Sequence, residues 1–150
     1  MITARSRQCA AVCLLLSVGA CARPVVISSR SVILRPEQTS KLAGTTMAEA
    51  WMPSAATVRE LEMRLPAFIA QRTTIHRSIA DDYKQYGGIV REGRRLVYVY
   101  AFNIPAGSQL PDWKRKPIVF GGGGDSVWQV EYDVEKKKFI RFEMQRSVRC

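Results

Sequence analysis

Residues 96–102 read Leu-Val-Tyr-Val-Tyr-Ala-Phe, and no other stretch constrains the fold of this chain as tightly. Successive side chains of a strand point to opposite faces, so Leu96, Tyr98, Tyr100 and Phe102 share one face and Val97, Val99 and Ala101 the other. Both faces are apolar, which predicts a central strand, shielded above and below. An apolar run from Gln85 through Val90 and Arg91, followed by a turn at Glu92-Gly93-Arg94, predicts its hairpin partner. Downstream, residues 118–120 predict a short strand and the four glycines 121–124 a turn. Residues 127–134 then alternate, with Trp128, Val130, Tyr132 and Val134 pointing inward. A turn over 133–138 leads to a last strand with Ile140, Phe142 and Met144 on its buried side.

Such a sheet needs a cover. Over residues 54–72, Val58, Leu61, Leu65, Phe68 and Ile69 recur at helical spacing, while Arg59, Glu60 and Arg64 face away. Thr57-Val58-Arg59-Glu60 offers a T-x-x-E capping box after Pro53 and Ser54, and Pro66 predicts a kink. A second helical stretch over 75–86 is suggested by Ile75, Ile79, Tyr83 and Tyr86. The predicted class is α+β: an N-terminal amphipathic helix packed on a four- to five-stranded antiparallel meander, as one domain over 53–150. That outline resembles cystatin-like or nuclear-transport-factor-like folds, a likeness that implies no activity.

Ahead of the domain the chain has a different character. Arg5 and Arg7 precede the fifteen uncharged residues 8–22, which Arg23 and Pro24 close. That stretch is shorter than the roughly 20 residues a membrane-spanning helix needs, and it has the layout of an export signal. Val18-Gly19-Ala20-Cys21 resembles the lipobox of bacterial lipoproteins. The resemblance implies removal of residues 1–20, acylation of Cys21 as the new N-terminus, and anchoring in the cell envelope. Ala22, where retained lipoproteins carry Asp, implies the outer membrane, facing the periplasm. Ala20-Cys21-Ala22 also satisfies the small-x-small rule of an ordinary secretory signal cut before Arg23, so soluble secretion stands beside the anchor, and a buried apolar segment is a third reading. Residues 21–52 are read as a tether with at most one short edge strand, from the apolar pieces Val25-Val26-Ile27 and Val32-Ile33-Leu34 broken by Ser, Arg and Pro. A flexible coil of that length spans roughly 30 Å.

Within residues 51–146, Trp51-x-Pro53-Ser54, Leu65-Pro66, Gln85-Tyr86-x-Gly88-Ile89, Gly93-x-Arg95, Val99-x-Ala101-Phe102 and Trp128-x-Val130-x-Tyr132-Asp133 resemble small exported proteobacterial proteins of no assigned function. The resemblance implies a disulfide in those relatives that this chain lacks, since Asn103 and Ser126 stand at the corresponding positions. It brings no catalytic residues.

The residues themselves favour binding over catalysis. The glycines 121–124 with Asp125 and Ser126 lead into an alternating strand and carry no Lys-Ser or Lys-Thr, so a flexible turn explains them better than a phosphate loop. His76 is the only histidine. A small hydrolase would have to use it with Ser126, Ser78 or Cys150 and with Asp81 or Asp82, and no nucleophile elbow supports that. Asp81 and Asp82 with one histidine are poor metal donors, and no metal or other cofactor is expected. Of the four cysteines, Cys9 and Cys13 leave with the signal and Cys21 is acylated, which leaves Cys150 as a free thiol or the link of a dimer.

The formal charge of +10 falls to +8 once Arg5 and Arg7 are removed with the signal. It is concentrated in Arg91, Arg94 and Arg95, in Lys114, Arg115 and Lys116, and in Lys136, Lys137 and Lys138. Connections of a simple meander alternate ends, which puts the two lysine-rich clusters together, opposite the arginine hairpin. The expectation is therefore a non-enzymatic envelope lipoprotein that binds a protein or an anionic envelope polymer, phospholipid headgroups included, through that end. The compartment argues against nucleic acid. A secreted inhibitor of a hydrolase is the alternative from another class.

Overall fold

A computed structural model describes residues 23–72, 78–105 and 108–145. They form an α+β fold: one seven-stranded sheet, two α-helices and two short 3-10 turns. The strands are β1 (Val25–Ser28), β2 (Ser31–Ile33), β3 (Ala50–Trp51), β4 (Tyr83–Arg91), β5 (Arg94–Phe102), β6 (Val127–Asp133) and β7 (Lys138–Met144); the helices are α1 (Pro36–Ala43) and α2 (Ala55–Arg72).

Four strands, β4 to β7, make the antiparallel meander, with β5 between β4 and β6. The sheet does not stop there, and the four- to five-stranded expectation falls short. On the other edge of β4, β2 pairs in parallel with Lys84, Gln85 and Tyr86, and β1 pairs antiparallel with β2. Further along the same edge, Ala50 and Trp51 of β3 pair with Ile89 and Gly88.

The tether reading of 21–52 is thereby corrected from residue 25 on. Val32, Ile33 and Leu34 are fully buried, because their unbroken apolar run is a strand covered on both faces. Helix α1 has Pro at its first position and Gly44 just beyond its end at φ 64°, an N-terminal proline and C-terminal glycine pattern present in the sequence. The Gln38 side chain accepts a hydrogen bond from the Arg35 N–H at 2.9 Å and so caps the first turn.

Each face of the sheet has its own core. Val97, Val99 and Ala101 meet Val58, Leu61, Leu65 and Ile69 of α2, together with Tyr86, Trp128, Val130 and Tyr132. Leu96, Tyr98, Tyr100 and Phe102 meet Val32, Leu34 and Leu42 of the N-terminal segment and Trp113 of the β5–β6 connection. Helix α2 begins three residues earlier than the Thr57 capping box implies: the Ser54 Oγ accepts from the Thr57 N–H at 3.1 Å, which makes Ser54 the cap.

Other local expectations change as well. Residues 118–120 are not in a strand; they belong to the β5–β6 connection, whose described part from residue 108 on folds back on the sheet. Residues 83–86, read as helix, open β4, since Tyr86 packs beneath α2 as a strand residue. In β7 a register shift sets Tyr132 opposite Phe139 and Glu131 opposite Arg141. Phe139 and Phe142 thus both reach the α2 side, Ile140 turns to the opposite core, and Met144 is 37% exposed and outside both cores.

Two adjacent glycines on β4 set how closely the covers approach. A Cβ on Gly87 would overlap the Thr39 side chain of α1, and one on Gly88 would overlap the Trp51 indole on the other face. The indole Nε1 donates to the Ile89 carbonyl at 3.1 Å, and the Arg95 guanidinium lies 4.0 Å from the ring centroid. Gly88→Ala should therefore displace Trp51 and lower stability by about 1–3 kcal/mol, read as a drop in the urea midpoint, whereas Gly93→Ala in the exposed turn should cost about 1 kcal/mol through its φ of 71° alone.

Candidate basic face beside the N-terminus

The β4–β5 and β6–β7 turns lie at one end of the sheet, since Arg91 faces Arg94 and Asp133 faces both Leu96 and Lys138. The β5–β6 connection leaves the opposite end, where Phe102 faces Val127 and Tyr83. The expected grouping of the two lysine-rich clusters is thus overturned: without a strand at 118–120 the parity of the meander changes. Lys136, Lys137 and Lys138 join the arginine hairpin instead.

The charges at that end are largely engaged. Lys137 Nζ is 3.1 Å from Glu60, and the Arg64 guanidinium donates to the Lys137 carbonyl and, at 3.1 Å, to the Tyr132 hydroxyl. These contacts strap the β6–β7 turn to α2. Arg91 pairs with Glu131, whose carboxylate is buried, Arg94 lies 2.8 Å from Glu92, and Arg95 rests on Trp51.

The other cluster is held by the fold from below. Gln85 is fully buried, and its amide uses three of its four hydrogen-bonding positions on the connection: Nε2 donates to the carbonyls of Trp113 at 2.5 Å and Lys116 at 2.7 Å, and Oε1 accepts from the Ile118 N–H at 2.9 Å. Trp113 plugs into the core edge-on to Tyr83, with centroids 5.0 Å apart. Gln38 of α1 donates to the Arg115 carbonyl, and the Tyr100 hydroxyl accepts from the Phe120 N–H at 3.0 Å.

This docking carries Lys114 and Arg115 to the N-terminal segment, where they line a cleft of about 740 Å³ with Arg23, Pro24, Val26 and Arg35. Four cations line it and, among the described residues, no carboxylate does; Glu37, 3.0 Å from Arg35, stands beside it. Lys116 turns away to Asp112 at 3.1 Å. Arg23 and Arg35 were missed from sequence because they lie in the stretch read as tether; the turn at Ser28-Ser29-Arg30 between two apolar runs was the signal that could have placed them.

Cys21, Cys150 and His76 lie outside the described residues, as do Cys9 and Cys13. Asn103 and Ser126 are neighbours, the Asn103 N–H donating to the Ser126 carbonyl at 2.8 Å. Among the described residues no group of three or more His, Cys, Asp and Glu could hold a metal ion, and no helix is long and apolar enough to cross a membrane. No family model matches the chain, and neither a curated protein nor a solved structure matches it.

Removing the Gln85 amide strands three backbone groups of the connection at roughly 1–3 kcal/mol each. Gln85→Leu should consequently speed trypsin cleavage after Lys114, Arg115 or Lys116 by at least about tenfold under native conditions, with cleavage elsewhere in the chain changing less.

Proposed function

We propose that this chain is a lipid-anchored protein of the bacterial envelope, attached through Cys21, which acts by binding rather than catalysis and applies its Arg23, Arg35, Lys114 and Arg115 face to the anionic headgroups of the membrane that holds it. The observation that carries this reading is the place of Arg23. It is two residues from Cys21, at most about 7 Å of chain, and it lies in the same cleft as the other three cations.

The absence of a tether adds to the argument. β1 begins at Val25, four residues and at most about 14 Å from Cys21. A domain attached on so short a leash stays at the surface, within reach of headgroup phosphates. Each cation near an anionic surface contributes about 1 kcal/mol, and the attraction decays over a Debye length of about 8 Å at physiological salt. Two acyl chains already suffice for stable attachment. The cations therefore set which face of the domain meets the membrane, and leave β7, on the opposite edge of the sheet from β1, free for protein partners. The outer membrane is the destination that Ala22 implies.

The anchor is tested by intact mass: protein extracted from the membrane fraction should start at Cys21 and carry acyl chains, and Cys21→Ser should abolish the increment. A soluble chain starting at Arg23 would replace the anchor with secretion. The face is tested separately on the full chain carrying Cys21→Ser, with phosphatidylcholine vesicles that include or omit phosphatidylglycerol. Binding should require the anionic lipid and fall with added salt. Reversing Lys114 and Arg115 to Glu should weaken it by at least about tenfold, while reversing Lys136, Lys137 and Lys138 should change it little. The opposite ranking would refute the assignment of the face.

A further inference from the structure

A second cleft, of about 470 Å³, opens between α2, the β1–β2 turn and the start of β4. That is the size range of small-molecule sites. One wall is apolar, built from Leu65, Pro66 and Ile69 of α2 with Ile79 opposite. Its polar end carries Arg30, Lys84 and Glu62.

Lys84 is the unusual member. It is only 8% exposed, on the same face of β4 as Tyr86, and its ammonium donates to the Asp82 carbonyl at 3.2 Å, which engages one of three N–H groups. Glu62 is differently placed: its Oε1 accepts from both the Ser31 hydroxyl at 2.6 Å and the Tyr86 hydroxyl at 2.7 Å. Two donors on one oxygen spread its charge, so it is a poor sole counterion for Lys84. Burial, helped by the repulsion of Arg30, pushes the Lys84 ammonium below the usual lysine range even though Glu62, Asp82 and Asp81 pull it upward. The carboxylates already present leave the charge undercompensated, and a further anion in the cleft would restore what desolvation has cost. At the rim the Arg30 Nη1 group serves Asp81, with its carboxylate at 3.5 Å and its carbonyl as acceptor, and the guanidinium lies 5.3 Å from the Tyr83 ring centroid, which leaves the Nε and Nη2 N–H groups for a ligand.

We propose that this cleft binds a single-chain carboxylate amphiphile, its carboxylate on Lys84 with Arg30 at the rim and its alkyl chain along Leu65, Pro66, Ile69 and Ile79. Charge selects the head, since among the described residues the titratable members of the lining are two cations and one hydroxyl-bound carboxylate. The apolar wall selects the tail: burying each methylene contributes about 0.8 kcal/mol. Pro66 helps to shape the site, because it has no N–H to give the Glu62 carbonyl one turn earlier and its ring adds to the apolar wall. The inference does not depend on the anchor at Cys21.

The test is calorimetric titration of the full chain carrying Cys21→Ser, with decanoate below its micelle concentration and with decanol and decyltrimethylammonium as probes of equal chain length. Decanoate should bind saturably, one equivalent per chain, and decanol at least about tenfold more weakly, the loss of a charge-assisted hydrogen bond. The cationic probe should be rejected. Lys84→Met should reduce decanoate affinity to that of decanol and leave decanol unchanged. Equal affinity for the three probes in the unaltered protein, no saturable decanoate binding, or a folded Lys84→Met protein with undiminished selectivity would overturn the proposal. Should Lys84→Met fail to fold, the ranking of the three probes on the unaltered protein decides alone.

Discussion

Strand β5 offers apolar side chains to both faces of the sheet, and each face has to be kept from water. Helix α2 can serve only one of them. The other falls to segments that carry little hydrophobic signal of their own: α1, which contributes chiefly Leu42, and the connection 103–126, which contributes Trp113. This shortage of covering surface explains why the stretch before α2 is drawn into the sheet. It also explains why the connection is fastened by a buried amide. A loop laid over a core has backbone groups that water no longer reaches, and Gln85 satisfies three of them from beneath.

The parts of the fold legible in the sequence were those with strong period. Residues 96–102 were read as a central strand with its hairpin partner, residues 127–134 as an alternating strand, and residues 54–72 as a helix with the register that buries Val58, Leu61, Leu65 and Ile69. Short elements were not legible, for physical reasons. β2 is three residues long and β3 two, so neither shows a period, and both depend on pairing with the edge of β4. Residues 118–120 carried an apolar run with no neighbour to pair, and became part of a loop whose N–H groups are met by side chains. The bulge in β7 broke a pattern that alternation alone would continue.

For the basic face, Lys114 and Arg115 were visible as a cluster, whereas their neighbours were not. A single misplaced strand reversed which end of the sheet each loop occupies, and with it which charges stand together. Charge density along the chain was also a poor guide to available charge. The arginine hairpin looks as basic as the Lys114 cluster in sequence, yet Arg91, Arg94 and Arg95 are occupied by Glu131, Glu92 and Trp51. What separates the two clusters is the set of partners the fold supplies, and that set comes from residues distant in the chain.

The parallel pairing of β2 with β4 also bears on the order of assembly. Val32 finds its partner in Gln85, 53 residues later, and β4 is itself held by β5 beyond it. The chain emerges from the ribosome with β2 first, but the groove that receives β2 is made last, after α2 and the β4–β5 hairpin have come together. Local hairpin contacts form quickly, whereas a contact across such a separation pays for closing the intervening loop. The N-terminal strands are thus expected to dock late, after the hairpin whose edge receives them has formed.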